Sequence, residues 1–411
     1  MIKYSEKKEK TWVLDVYRLL LAIIILDPLL DNYISNTTIL RLFELCCWIT
    51  SIFYVKCIIK FRKGELFNSY TKFLYFTLFF ISIGIIARGN FPTNIKDFAL
   101  FLINKKGILV YIIPFIILLL PNRKYFKDII KLFFKASLFS IPIWIINLSN
   151  LVQIGTYKGE NIAAYLPFFS ALLLALLGFF TKKEKLLIVS VWGVYTLLML
   201  LNARRNVSFT IVLYAVFAYL MLIWDNWKRN AFKTCLFILA ATISLLFLQL
   251  NMENLSSGLF SNISHRMNEE TRSGVEEKFL LDFANSPAED WIFGRGMDGG
   301  YYQIVTNEET GEVNNNRQGI ETGYLHLILK GGILYALCIV LIIFNAIYQG
   351  RKEKNKITSR YFVLIMCSYL IDLYTTTPIC SFAPRTIIFW FVVGVMTQRQ
   401  KNESSALEVL R

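Results

Sequence analysis

ETGYLHLILKGGILYALCIVLIIFNAI, residues 321–347, is the stretch that decides the fold. Its apolar part is long enough to cross a hydrocarbon core of ~30 Å, which takes about 20 helical residues. The composition of the whole chain agrees, because its 411 residues are 55% hydrophobic and only 18% charged. A soluble protein could not cover so much apolar surface. We therefore predict an all-α, polytopic integral membrane protein.

Similar apolar runs recur on both sides of this helix. Each is long enough, or nearly long enough, to cross the membrane as a helix. A long polar stretch, 251–320, separates the ninth run from the tenth. Together the runs predict about twelve spans in a single polytopic domain covering 1–411, near residues 12–30, 38–59, 70–87, 106–120, 128–148, 162–180, 185–202, 207–225, 231–250, 321–347, 360–379 and 384–397.

The basic residues predict the orientation of these spans. With a cytoplasmic N-terminus, the connectors expected inside carry Lys and Arg clusters, as the positive-inside rule requires. Both termini are then cytoplasmic, and 251–320 is an extracytoplasmic loop. The net charge of +15 is divided among separate clusters, so it gives no sign of a nucleic-acid partner. The clusters lie at 56–63, 123–127, 182–185, 228–233 and 351–356.

The predicted outer loop differs in charge from the rest of the chain. It carries 12 Asp and Glu residues against 5 Lys and Arg residues. Within it, residues 265–281 predict a short amphipathic helix. The run GRGMDGG at 294–300 predicts a tight glycine turn, because no βαβ unit surrounds it as a dinucleotide site would require.

Several arginines stand on the predicted outer side, against the charge pattern. Positive charge there opposes insertion, and an anionic ligand is one reason to keep it. The alternative is that arginines at helix ends reach headgroup phosphates. Arg204 and Arg205 sit in a turn of a few residues, and guanidinium forks suit phosphate oxygens. The other arginines considered for such a ligand are Arg88, Arg266, Arg272, Arg295 and Arg385.

His326 is one of two histidines and lies between Glu321 and Lys330 near the start of the tenth span. If the span enters the membrane at Glu321, His326 lies about 8 Å deep, from a rise of ~1.5 Å per residue. A histidine there is costly unless it faces a polar cavity, and it can exchange protons near neutral pH. A hydrogen bond between packed helices is the alternative. Gly331 and Gly332 follow Lys330 and predict a bend or a close helix approach.

Three stretches carry a resemblance to a known family. They are NARRNVSFT at 202–210, DWIFGRGMDGG at 290–300 and ETGYLHLILKGGILY at 321–335. Together they resemble the O-antigen polymerase and ligase superfamily, whose members are multi-spanning glycosyltransferases of the bacterial inner membrane with a GT-C-like helical fold. The resemblance covers the order and spacing of about the last half of the chain.

The resemblance implies roles for particular residues. In that family an arginine precedes a serine- or threonine-led span, as Arg204 or Arg205 does here. A glycine turn in the outer loop is matched by 291–296, and a histidine opening the next helix is matched by His326. Ligases of the family often place Asn or Ser after this histidine. Leu327 stands there in this chain, which favours a polymerase.

The implied activity is polymerisation of oligosaccharide units carried on undecaprenyl pyrophosphate, giving O-antigen or capsular polysaccharide at the outer face of the inner membrane. Arginines would hold the pyrophosphate, so no metal or cofactor is implied, and the chain has no DxD motif. His326 would act as general base or orient the acceptor hydroxyl. The implied partners are the lipid-linked glycan, membrane lipids, a chain-length regulator and a flippase. The implied catalytic residues are His326, Arg204 and Arg205, and the implied substrate-binding residues are Arg266, Arg272, Arg295, Glu321, Lys330, Arg385 and Arg88.

Three alternatives stay open. An O-antigen ligase, which transfers glycan to the lipid A core, would share most of these motifs. A flippase for lipid-linked oligosaccharides, or another transporter, would have a similar number of spans and similar buried charges, although no internal repeat is evident. A non-catalytic membrane scaffold is the third.

Overall fold

The computed structural model describes residues 2–33, 38–61, 66–91, 94, 98, 102, 107–146, 166–201, 205–224, 272–306, 313–352 and 357–399. Most of these residues are helical. The helices are α1 (Ile2–Tyr33), α2 (Thr38–Phe61), α3 (Ser69–Ala87), α4 (Ile108–Leu118), α5 (Phe126–Leu138), α6 (Ser140–Ile146), α7 (Phe168–Leu173) with a 3-10 turn (Leu174–Phe179), α8 (Lys182–Leu201), α9 (Arg205–Trp224), α10 (Arg272–Ala284), α11 (Ala288–Phe293), α12 (Gly323–Lys352), α13 (Ile357–Thr375) and α14 (Pro384–Thr397). The described part also holds two strands, β1 (Tyr301–Thr306) and β2 (Val313–Arg317).

The apolar helices confirm a helical, membrane-embedded protein. Four described segments are long and apolar enough to cross a membrane: Arg41–Lys60, Ser69–Ala87, Phe126–Ile146 and Gly323–Lys352. The predicted span 231–250 lies outside the described residues, so the number twelve stays a prediction. Four further apolar helices are shorter: Ile108–Leu118, Phe168–Phe179, Val207–Met221 and Pro384–Thr397.

An aromatic cluster packs α1, α5 and α14 together. The Tyr17 ring meets the Phe133 ring edge-on, with 5.8 Å between centroids, and Phe126 stacks on Phe391 at 5.9 Å. All four side chains are buried. In contrast, α3 exposes a row of phenylalanines on the side facing away from the bundle, including Phe73 at 63%. Apolar rows of this kind are expected where helices contact lipid.

The bundle has two distinguishable ends. At one of them, here called the terminal end, Lys124 pairs with Glu9 at 3.2 Å and Arg123 donates to the carbonyl of Gln398 at 3.2 Å. These contacts bring the start of α1, the connector between α4 and α5, and the end of α14 together. The terminal end of the bundle therefore contains a basic connector together with residues near the start and near the end of the sequence.

The opposite end, here called the loop end, is formed by the ends of α3 and α13, the starts of α9 and α14, and residues 272–306 and 313–322. Arg385, at the start of α14, pairs with Asp372, near the end of α13, at 2.8 Å. The N–H of Met297 donates to the carbonyl of Ile85, near the end of α3, at 3.1 Å. The basic connector at 123–127 and the described part of the acidic loop therefore lie at different ends of the bundle, and the orientation of the two ends in the membrane stays a prediction.

Helix α12 is interrupted at Gly332, which has φ +70°. A side chain there would collide with the backbone of Ile292, so only glycine fits this close approach. The predicted bend after Lys330 is confirmed. We call the part before the interruption α12a (323–331) and the part after it α12b (333–352).

Helix α12a lies across the loop end. At its start, Gly323 packs against the Thr376 carbonyl, just past the end of α13. At its end, Gly331 packs against Ile85, near the end of α3. α12a therefore joins the ends of two other helices, while α12b, with 20 residues, has the length of a span by itself. His326 lies on α12a, before the interruption at Gly332.

The loop contains a small folded unit. Helix α10 packs on β1 through a separate apolar core of Phe279, Phe283, Tyr301, Ile320 and Leu329. β1 and β2 pair antiparallel, with an irregularity between Tyr302 and Val305. The sequence did not predict this hairpin. The predicted helix at 265–281 is present from Arg272 to Ala284, and residues 265–271 are outside the described part.

The predicted glycine turn is confirmed. Gly294 has φ +70° and Gly296 has φ +81°. The N–H of Arg295 donates to the Leu329 carbonyl at 2.8 Å, and that of Gly296 donates to the Lys330 carbonyl at 3.0 Å. The turn is thereby attached to α12a by its own backbone.

Candidate functional site

Many of the candidate catalytic and substrate-binding residues identified in the sequence lie at the loop end. Helix α12a carries His326 and Lys330 there, α14 begins there with Arg385, and the glycine turn brings Arg295. Helix α9 also starts there, because Thr210 in its second turn donates to Asp372 at 2.8 Å. Since α9 begins at Arg205, that residue belongs to the same end of the bundle. The loop end therefore brings several basic residues together next to the acidic loop.

His326 is partly buried on α12a. Its backbone N–H donates to the Thr322 carbonyl at 2.9 Å, in the first turn of the helix. Its ring Nδ1 accepts the Ile320 N–H at 3.5 Å, the long limit for such a bond. A neutral histidine that accepts at Nδ1 carries its proton on Nε2. In this arrangement Nε2 is a donor, and the Ile320 contact must break before Nε2 can serve as a base.

Arg385 and Asp372 form a buried ion pair between α14 and α13. Arg385 Nη2 lies 2.8 Å from Asp372 Oδ2, and the side chains are 14% and 2% exposed. The other carboxylate oxygen accepts from Thr210 of α9. One aspartate therefore ties three helices together at the loop end.

The surroundings of Arg385 are aromatic and incompletely hydrogen-bonded. Its guanidinium lies over the Phe168 ring, 5.4 Å from the centroid, and Tyr369 donates to its backbone carbonyl at 2.6 Å. Its Nε has no hydrogen-bond partner among the described residues, and neither does the buried Ser208 hydroxyl of α9. Buried donors without acceptors are uncommon, and they mark places where a ligand or water can bind.

The guanidinium of Arg295 is hydrogen-bonded to groups of the protein. Nε donates to Asp290 at 2.8 Å, and Nη1 donates to Asp282 at 2.5 Å and to the Gly300 carbonyl at 2.7 Å. Nη2 donates to the Ser286 hydroxyl, and the guanidinium lies over an aromatic ring of the small loop core. This pattern favours a positioning role that holds α10, α11 and β1 together, and a direct contact between Arg295 and substrate stays a prediction.

Lys330 is likewise engaged by the glycine turn. Its ammonium is buried and donates to the carbonyls of Met297 and Gly299 at 2.8 and 2.9 Å. A buried ammonium needs such acceptors, because desolvation without them is costly. Lys330 thus secures the turn on α12a, and its proposed contact with substrate also stays a prediction.

Arg88 and Glu321 are more accessible. Arg88 Nη2 makes a long contact of 3.4 Å with Asp290, and its side chain is 37% exposed. Glu321 is 59% exposed and lies 4.0 Å from Arg317. Both remain open to a ligand on geometric grounds.

The remaining nominated arginines can be located only in part. Arg204 and Arg266 lie outside the described residues. Arg205 begins α9 and Arg272 begins α10, but their side chains are outside the described part. Their predicted contact with phosphate therefore stays a prediction.

Burial affects one titratable group of the loop. Tyr301 lies in the small loop core, and its hydroxyl donates to Gln303 at 2.9 Å. Burial raises the pKa of this hydroxyl, Arg317 lowers it and Glu321 raises it. The tyrosine therefore stays neutral at any physiological pH and serves packing.

Sequence reasoning missed Asp372 and Asp282 as members of the site. Asp372 was visible as a carboxylate within an apolar run, and Arg385 stood 13 residues later. Two opposite charges in consecutive apolar helices are a signal for a buried pair, since neither charge is stable alone in lipid. Asp282 gave no such signal because the loop contains many carboxylates.

No protein-family model, no curated protein and no solved structure matches this chain. Among the described residues, no group of three or more His, Cys, Asp or Glu side chains is placed to hold a metal ion. The site is therefore interpreted from its own geometry and charges.

Proposed function

We propose that the protein is a metal-independent glycosyltransferase of the bacterial inner membrane. It joins oligosaccharide units carried on undecaprenyl pyrophosphate into O-antigen or capsular polysaccharide. The reaction takes place at the loop end, on the outer face of the membrane. The sequence motifs quoted above favour this family.

One observation carries the proposal: the loop end combines His326 with the starts of the two arginine-bearing helices α9 and α14. Transfer of a glycan from a polyprenyl pyrophosphate builds negative charge on the leaving group. Fixed positive groups stabilise that charge when they are held in place before the reaction. Arg385 is held by Asp372, and Arg205 stands at a helix N-terminus, where the helix dipole also favours an anion.

Arg204 and Arg205 are assigned to the pyrophosphate. A lysine keeps the positive charge but loses the planar fork that bonds two phosphate oxygens at once. At whichever arginine makes the contact, Arg→Lys should remove most of the polymer. If Arg204→Lys, Arg205→Lys and the double variant all give normal polymer at normal expression, this assignment is wrong.

The acceptor hydroxyl is assigned to His326. Acting as general base, His326 would take the hydroxyl proton after losing the Ile320 contact; acting as an orienting group, it would donate from Nε2. His326→Gln and His326→Ala separate the two roles. Gln retains a donor, so an orienting role predicts more activity from Gln than from Ala, and a base predicts equal loss.

Deletion of the gene tests the function as a whole. The surface polysaccharide is then separated on a gel. Single repeat units on the lipid core support a polymerase. Undecorated core with polymer accumulating on its lipid carrier indicates a ligase, and absence of lipid-linked glycan from the outer leaflet indicates a flippase.

The proposed topology has twelve spans, cytoplasmic termini and an extracytoplasmic 251–320 segment. Cysteines introduced at positions 255 and 310 should react with an impermeant maleimide in intact cells. Reaction only after permeabilisation would place the loop end in the cytoplasm, away from an outer-leaflet donor.

A further inference from the structure

Helix α11 exposes apolar side chains although it is part of a polar loop. Ile292 is 43% exposed and Phe293 is 52% exposed. The same short helix contributes Trp291 to the small loop core, so one side of α11 is packed and another is uncovered. Large apolar side chains that are exposed side by side are more stable in a nonpolar environment than in water.

The position of α11 is fixed by backbone contacts. Ile292 and Phe293 pack against Gly332, where α12b begins. The turn that follows α11 bonds to Ile85, near the end of α3. Helix α11 therefore lies at the level where two membrane-spanning helices reach the loop end.

The uncovered side of α11 continues the lipid-facing surface of α12b. Immediately after Gly332, Ile333 is 48% exposed and Leu334 is 41% exposed. The exposed apolar row continues along α12b with Leu337, Leu341 and Phe344. These positions recur every three or four residues, so they lie on one side of the helix. Because α12b is a span, this side faces acyl chains, and α11 extends it.

Charged groups lie at the loop-end border of the apolar surface that α11 and α12b share. Asp290 of α11 is held by Arg295 at 2.8 Å and by Arg88 at 3.4 Å. The Asp290 charge is therefore neutralised within the protein, and the exposed part of Arg88 is free to lie among headgroup phosphates, as arginines at helix ends do.

We propose that α11 is an interfacial membrane-inserted helix, with Ile292 and Phe293 lying among the acyl chains of bilayer lipids at the loop end. The occupant of the uncovered surface is phospholipid hydrocarbon. The loop is then attached in two ways: the glycine turn binds it to α12a, and α11 anchors it in the membrane surface. This proposal does not depend on the reaction assigned to the protein.

Photocrosslinking tests the proposal with the full chain. Phe293→p-benzoylphenylalanine places a reactive aromatic side chain where an exposed aromatic already stands. Leu337→p-benzoylphenylalanine is the lipid-facing reference on α12b, with 51% exposure in the native residue. Gln318→p-benzoylphenylalanine is the reference for a solvent-exposed position outside the helices. Each variant is reconstituted in vesicles of phosphatidylethanolamine and phosphatidylglycerol and irradiated.

The measured quantity is the fraction of protein whose mass increases by one phospholipid. We expect the yield at position 293 to fall within ~3-fold of that at 337 and to exceed that at 318 at least ~5-fold, because an interfacial helix buries its apolar side in the acyl region. A yield at 293 no higher than at 318 overturns the proposal. Crosslinking of position 293 to a second copy of the chain instead of to lipid also overturns it, since protein would then cover α11.

Discussion

Arg295 and Arg385 both pair with aspartate at 2.8 Å, but in different surroundings. Arg295, in the loop, has two carboxylates, a carbonyl and a hydroxyl around its guanidinium. Arg385, at the edge of the helix bundle, has one carboxylate, and its Nε is unsatisfied among the described residues. Both guanidinium groups also lie over an aromatic ring. Arg295 has more partners than Arg385, yet losing the single carboxylate partner of Arg385 should destabilise the protein more.

The two arginines differ in whether water can solvate the charge that remains when an ion-pair partner is removed. The carboxylates around Arg295 are 16% and 22% exposed, so water can reach them when the cluster is broken. Asp372 is 2% exposed, and water cannot easily solvate its partner. Removing one member of a buried pair leaves an uncompensated charge, which costs more than the pair itself contributes. The following substitutions test this comparison.

Asp372→Ala should have the largest effect. It removes the counterion of the Arg385 guanidinium and the carboxylate to which Thr210 donates, and we expect a loss of roughly 3–5 kcal/mol of stability. The measurement is thermal unfolding of the purified protein in detergent. The double variant Asp372→Leu, Arg385→Met should recover most of the loss, because no buried charge remains. A single variant as stable as wild type would show that Arg385 is solvated by other means.

His326→Gln tests the helix that joins the two networks, since α12a contacts α13 at its start and the Arg295 turn at its end. We expect normal insertion and at least a ~100-fold loss of polymer if the imidazole acts as a base, the usual low end for such a group. His265→Gln, in the loop, is the matched control and should be mild. Near-normal polymer would assign His326 to packing or orientation and leave the arginines to account for catalysis.

Arg295→Lys should act locally. One ammonium cannot reach Asp290, Asp282 and Ser286 together, so about 1–3 kcal/mol of loop docking should be lost. Limited proteolysis should therefore cleave within 272–322 faster, while the melting temperature of the helices changes less than in Asp372→Ala. A melting temperature lowered by Arg295→Lys as much as by Asp372→Ala would mean that the loop and the bundle unfold as one unit.

Lys10→Ala should have the smallest effect and is the reference for an ordinary pair. Lys10 and Asp128 are 2.8 Å apart at the terminal end, with side chains 43% and 37% exposed. Exposed pairs contribute about 0–1 kcal/mol, so a shift of the unfolding curve beyond that range would reveal a role for this contact that geometry does not suggest.

Local sequence signals predicted several of these features. The glycine run at 294–300 predicted a tight turn, and the glycines after Lys330 predicted the interruption of α12. Both follow from the positive φ that only glycine adopts without strain. Asp15 and Arg18 stand three residues apart on α1, a spacing that brings opposite charges within reach, and they lie 2.6 Å apart. These features could be predicted because the residues that determine them lie within a few positions of one another in the sequence.

Features set by distant contacts were not predicted. The hairpin of β1 and β2 lacks a clear alternation of apolar and polar residues, and its irregularity breaks the register further. The partners of Arg295 were not identifiable because twelve acidic residues of the loop were equivalent in sequence. His326 lies at the loop end on α12a, and its depth in the membrane stays a prediction.

The interruption of α12 has a consequence for related sequences. A helix broken at Gly332 leaves the carbonyls of Leu329 and Lys330 without donors from the next turn. The amides of Arg295 and Gly296 occupy those carbonyls instead. A homologue that replaces Gly332 by a residue with a side chain would restore a continuous helix and expel the turn. Glycines at positions 332 and 294 should therefore be gained and lost together as this protein diverges.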